Sequence, residues 1–231
     1  MGRLRAGVKS DLVGSLEALI PSQQNVPNPS VQVTVLDGTA IVNMIQAGAA
    51  KTFMEYAESI FSPHILSQLQ NVERLDTVWY QYLTDSLKAE ARSKRGKGIR
   101  RRVEPSSIIS GSWQAFLRID GNKTELFSLL ANGVTALDSD KPILNKHDTV
   151  VLCNQARDNT DIAPCTHEEA DTRILLHLAD AVKEGYPKVS IRTVDTDVLV
   201  LAVKAAQCFN LTELWMTLGL GRIFGTLQLM R

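Results

Sequence analysis

The sequence predicts an α/β domain with a mainly parallel central sheet flanked by helices. Three observations carry that expectation. Short β-branched runs alternate along the chain with segments whose apolar residues recur at helical spacing. Two of those runs end in acids that lead straight into a helical pattern, VTVLDGT and IRTVDTD. Composition also supplies a core: of 231 residues, 44% are hydrophobic and 22% charged, as in ordinary globular domains. Strand–helix alternation of this kind brings strands together in parallel through right-handed crossovers.

Taken in order, residues 1–30 read as a peripheral helix capped by Asp11, followed by the polar, proline-punctuated linker PSQQNVPNPS. The α/β domain is expected over 31–231. VQVTVLD, from Val31 to Asp37, is its first strand. Thr39 to Tyr56 follows as a helix, with Ile41, Met44, Ile45 and Ala49 at helical spacing. DTVWYQYL, from Asp76 to Leu83, is the second strand, and Thr84 or Asp85 caps a helix through SLKAEARSKR that stops at Gly96. Ser112 to Leu137 reads as one or two helices interrupted at IDGNK. HDTVVLCN, from His147 to Asn154, is the third strand. His167 to Gly185 is the clearest helix, its apolar face made by Ile174, Leu175, Leu178, Ala181 and Val182. KVSIRTVD, DVLVLAVKAAQ and ELWMTL complete the alternation as strand, helix and strand.

Charge is balanced overall, with 25 basic and 25 acidic residues, but unevenly distributed. RSKRGKGIRRR, from Arg92 to Arg102, holds seven basic residues and no acid, while HEEAD and DTD concentrate acids between Asp158 and Asp197. The basic run has three readings: a solvated loop, a nuclear-import signal, or a guide for nucleic-acid phosphates through Lys94, Lys97, Arg100, Arg101 and Arg102. Three cysteines form no disulfide framework, and no stretch of about 18 apolar residues spans a membrane, so an intracellular protein is expected. His147, Cys153, Cys165 and His167 fit no standard zinc spacing.

Ligands of open parallel sheets bind beyond the carboxyl ends of the strands. Asp37 closes the first strand there, and Asp195 and Asp197 close the fourth. Glu168, Glu169 and Asp171 open the helix facing the same edge. Any one of these acids alone reads as a helix cap. Together they exceed what capping needs, and their mutual repulsion calls for a cation. An all-oxygen donor set suits Mg²⁺ or Mn²⁺, and two such ions can drive phosphodiester hydrolysis.

The order VLDGT, LK-x₅-KR, EEAD and VDTDVL resembles the PIN-like superfamily, specifically its flap-endonuclease branch, over about Val31 to Leu201. It is also similar to uncharacterised multicopy animal proteins carrying HEEADTR and DTDVL. The resemblance implies a PIN-like fold and a two-metal nuclease acting on DNA rather than RNA, on flaps or single strands before duplex, as a monomer. It implies metal ligation by Asp37, Glu169, Asp171, Asp195 and Asp197, and scissile-phosphate contact by Lys88 and Arg95. Helical periodicity favours Glu168 over Glu169 as the partner of Asp171, whereas the resemblance favours Glu169.

Two departures from the family pattern stand out. Tyr80 occupies the place of an acid at the end of the second strand, and no acid follows Glu213, so the chain reads as truncated relative to the family. Both departures motivate an alternative: a catalytically inactive nucleic-acid-binding or structural remnant.

Overall fold

The computed structural model describes Asp11, Gly14 and residues 30–82, 98–109, 111–166 and 170–218, together with the backbone of 226–229. Seven strands form one sheet: β1 (Val33–Asp37), β2 (Arg74–Val78), β3 (Ile143–His147), β4 (Val150–Cys153), β5 (Lys188–Thr193), β6 (Glu213–Leu218) and β7 (Thr226–Leu229). Their order is β4-β3-β2-β1-β5-β6-β7. Strands β3 to β6 in that row are parallel, and the edge strands β4 and β7 are antiparallel. The chain therefore winds outward from β1 through β2 and β3, then returns to β1's other side at β5. That reversal places a topological switch point between β1 and β5, where crevices form in open α/β sheets.

Helices cover both faces, as expected for a parallel sheet. On one face lie α1 (Gly38–Met44), α2 (Phe53–Tyr56), α3 (Ser62–Leu69), α4 (Trp113–Leu117) and α5 (Asp120–Thr135). Their core includes Leu36, Ile41, Phe53, Phe61, Trp79 and Phe127. The other face carries α6 (Ala170–Lys183) and α7 (Thr196–Cys208), packed on Val33, Val35, Val189, Ile191 and Leu214. Each fully buried large apolar side chain contributes about 1.5–3 kcal/mol. Gly38 is required by one such contact: a Cβ there would meet the Trp79 ring at 2.7 Å.

Three element expectations need correction. The segment from Thr39 to Tyr56 is not one helix. Ile45 adopts extended backbone, Gly48 turns the chain at φ +56, and the Thr52 hydroxyl accepts from Glu55 N at 3.1 Å to start α2. α2 then continues through a π-helical segment, Ala57–Phe61, into α3. The second strand is Arg74–Val78 rather than Asp76 to Leu83, because Trp79 turns into the core and donates Nε1–H to Asn145 Oδ1 at 2.9 Å.

The third correction concerns the segment His147 to Asn154. It belongs to a hairpin whose parallel member, β3, is Ile143–His147, with Asp148 at φ 52 in the turn. β3 hides from hydrophobic patterning because it buries Asn145 and Lys146. Asn145 accepts from Thr77 and Trp79 and donates to Ala131 O and Thr135 Oγ1. Lys146 Nζ donates to Cys165 O.

The remaining elements agree with expectation apart from the position of one helix break, expected at IDGNK. The interruption between Ser112 and Leu137 is confined to Arg118 and Ile119, so DGNK forms the first turn of α5. Helices α6 and α7, with β5 and β6, lie where the pattern put them, and Gly185 ends α6 at φ +91. Among the described residues no helix is long and apolar enough to cross a membrane. The expected helices around Asp11 to Leu19 and from Ser86 to Arg95 fall largely or wholly outside the described residues.

Candidate metal centre

The ends of β1 and β5 carry acids for a local reason. Each acid caps the helix that follows its strand, so its side chain turns back over the strand end. Asp37 Oδ1 accepts from Ala40 N at 3.0 Å at the start of α1, and Asp195 Oδ1 accepts from Asp197 N at 2.9 Å at the start of α7. Thr193 ties the two strand ends together. Its hydroxyl donates to Asp37 Oδ2 at 3.0 Å and accepts from Asp195 N at 3.1 Å. Asp171 enters from the first turn of α6.

The result is a group of three carboxylates, Asp171, Asp195 and Asp197, each offering an oxygen within 4.8 Å of the others. Asp171 and Asp195 are half-buried and Asp197 is exposed. No other group of three potential ligands of this kind is formed among the described residues. Asp37 lies in the same crevice without joining the triad. It is 6% exposed. Burial pushes its carboxyl above the ordinary range, the charge of Asp195 adds to that, and bonds from Ala40, Thr193 and Thr39 act the other way. Hard oxygen donors at this spacing fit a single Mg²⁺ or Mn²⁺, with water completing the shell.

Asp37, Asp171 and Asp195 line a cavity of about 460 Å³ at the switch point, together with Tyr80, Asp120 and Lys123. Asp120 and Lys123 are functional candidates that sequence reading passed over, since DGNK looked like a helix break. The i, i+3 spacing is the signal that could have found them. Lys123 Nζ lies 2.9 Å from Asp120 Oδ1 and 4.2 Å above the Tyr82 ring centroid. Arg118 also lines the cavity. Tyr80 stands at its wall, its ring 4.7 Å from that of Tyr82 and tilted against it by 49°.

Other expected site residues are placed differently. Lys88, Lys94, Arg95, Lys97, Glu168 and Glu169 lie outside the described residues. Arg100, Arg101 and Arg102 do not line the acidic cavity. Arg100 pairs with Glu125, whose carboxyl it holds below the usual range, and Arg102 pairs with Glu104 at 3.1 Å.

A second group of carboxylates lies inside the protein, between β2 and α6. Asp76 accepts from Arg74 Nε at 2.7 Å and Nη2 at 2.6 Å, and its Oδ2 lies 2.6 Å from His177 Nδ1. Asp180 accepts from Arg74 Nη2 at 2.6 Å and from Arg157 Nη2 at 2.8 and 3.0 Å. Burial acts to raise the Asp76 carboxyl, but the charge and bonds of Arg74 and His177 prevail and hold it below the usual range. Arg173, His177 and Asp180 therefore occupy buried positions of α6 beside Ile174, Leu178 and Ala181. The apolar pattern captured only the latter.

Comparison with models of protein families, with curated proteins and with solved structures finds no match to this chain.

Proposed function

We propose that this chain is a divalent-cation-dependent hydrolase of phosphodiester bonds, with DNA as its polymer and a PIN-like, flap-endonuclease-type architecture. One observation carries the reading: Asp171, Asp195 and Asp197 bring carboxylate oxygens within 4.8 Å of one another, and the first two line the crevice. Asp195 also caps α7 through its bond to Asp197 N. Three carboxylates this close repel one another, and a cation between them would relieve that repulsion.

In this reading Asp171, Asp195 and Asp197 hold one cation, and Asp37 with Glu169 helps to hold a second. Bound Mg²⁺ or Mn²⁺ supplies Lewis acidity at the phosphoryl oxygens and a lowered pKa for attacking water. The chain's own part is to orient and to exclude. Thr193 fixes the relative position of Asp37 and Asp195. Lys123, with Lys88 and Arg95 from the segment beyond β2, offers positive charge to the scissile phosphate.

The test is cleavage of labelled single-stranded, duplex and flap DNA in Mg²⁺ or Mn²⁺, run beside Asp195→Asn. Asparagine keeps the cap but loses the charge. Wild type should cut flap or single-stranded DNA, and the variant should be slower by at least about a hundredfold, about 2.7 kcal/mol of transition-state stabilisation. Equal rates would sink the proposal.

Tyr80 favours a second reading, in which the protein binds nucleic acid without cutting it. It lines the cavity at the position where the resembled family carries a metal-binding acid, and a neutral phenol is a poor ligand for Mg²⁺. A folded wild type that retards DNA equally in EDTA and in Mg²⁺, with no products, would establish this reading instead.

A further inference from the structure

A second polar cleft lies beside α3, over β1, β5 and β6. Side chains alternate along β5, so Arg192 points away from the face on which its neighbour Thr193 meets Asp37. There it lines a cleft of about 580 Å³ with Thr34, Ser190, Thr217, Gln68 and Asn71. Thr34 pairs in register with Ser190, and Arg192 with Thr217, so three neighbouring strands present hydroxyls around one guanidinium. Thr34 and Ser190 are each 8% exposed. Buried sheet positions of parallel strands are ordinarily apolar, and this patch is not.

The hydrogen-bond account of Arg192 is incomplete. One nitrogen, Nη1, donates to Gln68 Oε1 at 3.1 Å. Its Nε is buried and has no partner. No ion pair joins it to an acid among the described residues, and the cleft is lined by hydroxyls and amides with no carboxylate. His64 Nε2 is also buried without a partner, and the Arg192 charge lowers that imidazole's pKa, although burial lowers it more. A buried guanidinium N–H without an acceptor is costly, and its planar fork matches an oxyanion's geometry.

We propose that the Arg192 cleft binds the phosphate group of a small molecule, with Arg192 as the charged anchor and Ser190, Thr34 and Thr217 as hydroxyl donors. The inference does not rest on the nuclease reading, since it uses a separate cleft and none of the acids. The cleft opens toward the segments preceding β1 and β2, lined there by Ser30, Val31 and Val72, whereas the acidic crevice lies beyond the strands' carboxyl ends.

The experiment is calorimetric titration of the full chain in EDTA with inorganic phosphate and with ribose 5-phosphate, against acetate and against chloride at matched ionic strength. Saturable phosphate binding is expected, weakened about tenfold or more by Arg192→Met and several-fold by Ser190→Ala. Asp195→Asn should bind phosphate as wild type does, which separates this cleft from the acidic crevice. Ribose 5-phosphate binding at least as tightly as inorganic phosphate would support a phosphomonoester ligand. Clearly weaker binding would overturn that assignment. Acetate matching phosphate would overturn the choice of phosphate. No saturable phosphate binding, or equal affinity in wild type and a cooperatively folded Ser190→Ala and Arg192→Met, would overturn the site, leaving water as the partner of Arg192 Nε.

Discussion

Helix α6 serves two carboxylate groups that solve the same electrostatic problem in opposite ways. Its first turn sends Asp171 to the crevice, and its later turns send His177 and Asp180 into the interior. Nine residues, roughly 14 Å of helix, separate Asp171 from Asp180. Inside, Asp76 and Asp180 are matched by Arg74, Arg157 and His177 at 2.6–3.0 Å. At the crevice, Asp37 and Asp195 are held by backbone N–H groups and a threonine hydroxyl, with no lysine or arginine among the described residues paired to either. Charge that a protein neutralises itself can be buried and serves the fold. Charge that it surrounds only with dipoles keeps a negative potential that an external cation can use.

The comparison can be broken most directly from the interior. Asp180→Ala leaves Arg74 and Arg157 without a shared acceptor in a buried place, and a loss of about 3–5 kcal/mol is expected by urea denaturation. A loss under about 1 kcal/mol would mean the interior group is no more structural than the crevice. Asp195→Asn should instead leave stability within about 0.5 kcal/mol of wild type, because the cap survives. The same variant sharpens the contrast through metal. Mg²⁺ at ten times its dissociation constant should stabilise wild type by about 1.4 kcal/mol, and a thermal-shift titration of Asp195→Asn should show none of that gain. A gain retained in the variant would place the cation elsewhere.

The smallest effect lies in pH dependence, where the two groups have opposite signs. Asp76 sits below its ordinary value of 3.8. The stability it contributes is therefore complete above about pH 4 and is lost as pH falls through the lowered value. Asp37 sits above 3.8. Its contribution is complete below about pH 4 and is lost as pH rises through the raised value. In metal-free buffer, Asp37→Asn should thus gain stability at pH 7 and leave the acid limb below pH 4 unchanged. Urea midpoints from pH 2 to 8 read both effects. An Asp37→Asn variant less stable than wild type at pH 7 would show that the capping bonds outweigh burial.

Much of this was legible in the chain itself. VTVLDG and RTVDTD announce a strand, an acidic end and a helix cap within a few residues, because capping and β-branched patterning are local effects. For the same reason α6, α7, β5 and β6 were found in place. β3 was not, since Asn145 and Lys146 are satisfied by partners on α5, on β2 and near Cys165 that no local pattern reveals. Asp120 and Lys123 were missed at the crevice, as their turn looked like a break.

The sequence by itself therefore determined an α/β chain whose acids gather at strand ends, because periodicity and capping act over one or two turns. Only the tertiary structure decided which acids meet. The reversal of winding between β1 and β5 sets Asp37 beside Asp195, and the packing of α6 across β1 and β2 adds Asp171 while drawing Asp180 to Arg74. Two of those juxtapositions, Asp37 with Asp195 and Arg74 with Asp180, join residues more than 100 positions apart. They depend on the balance of burial and charge across the whole sheet, which no local pattern encodes.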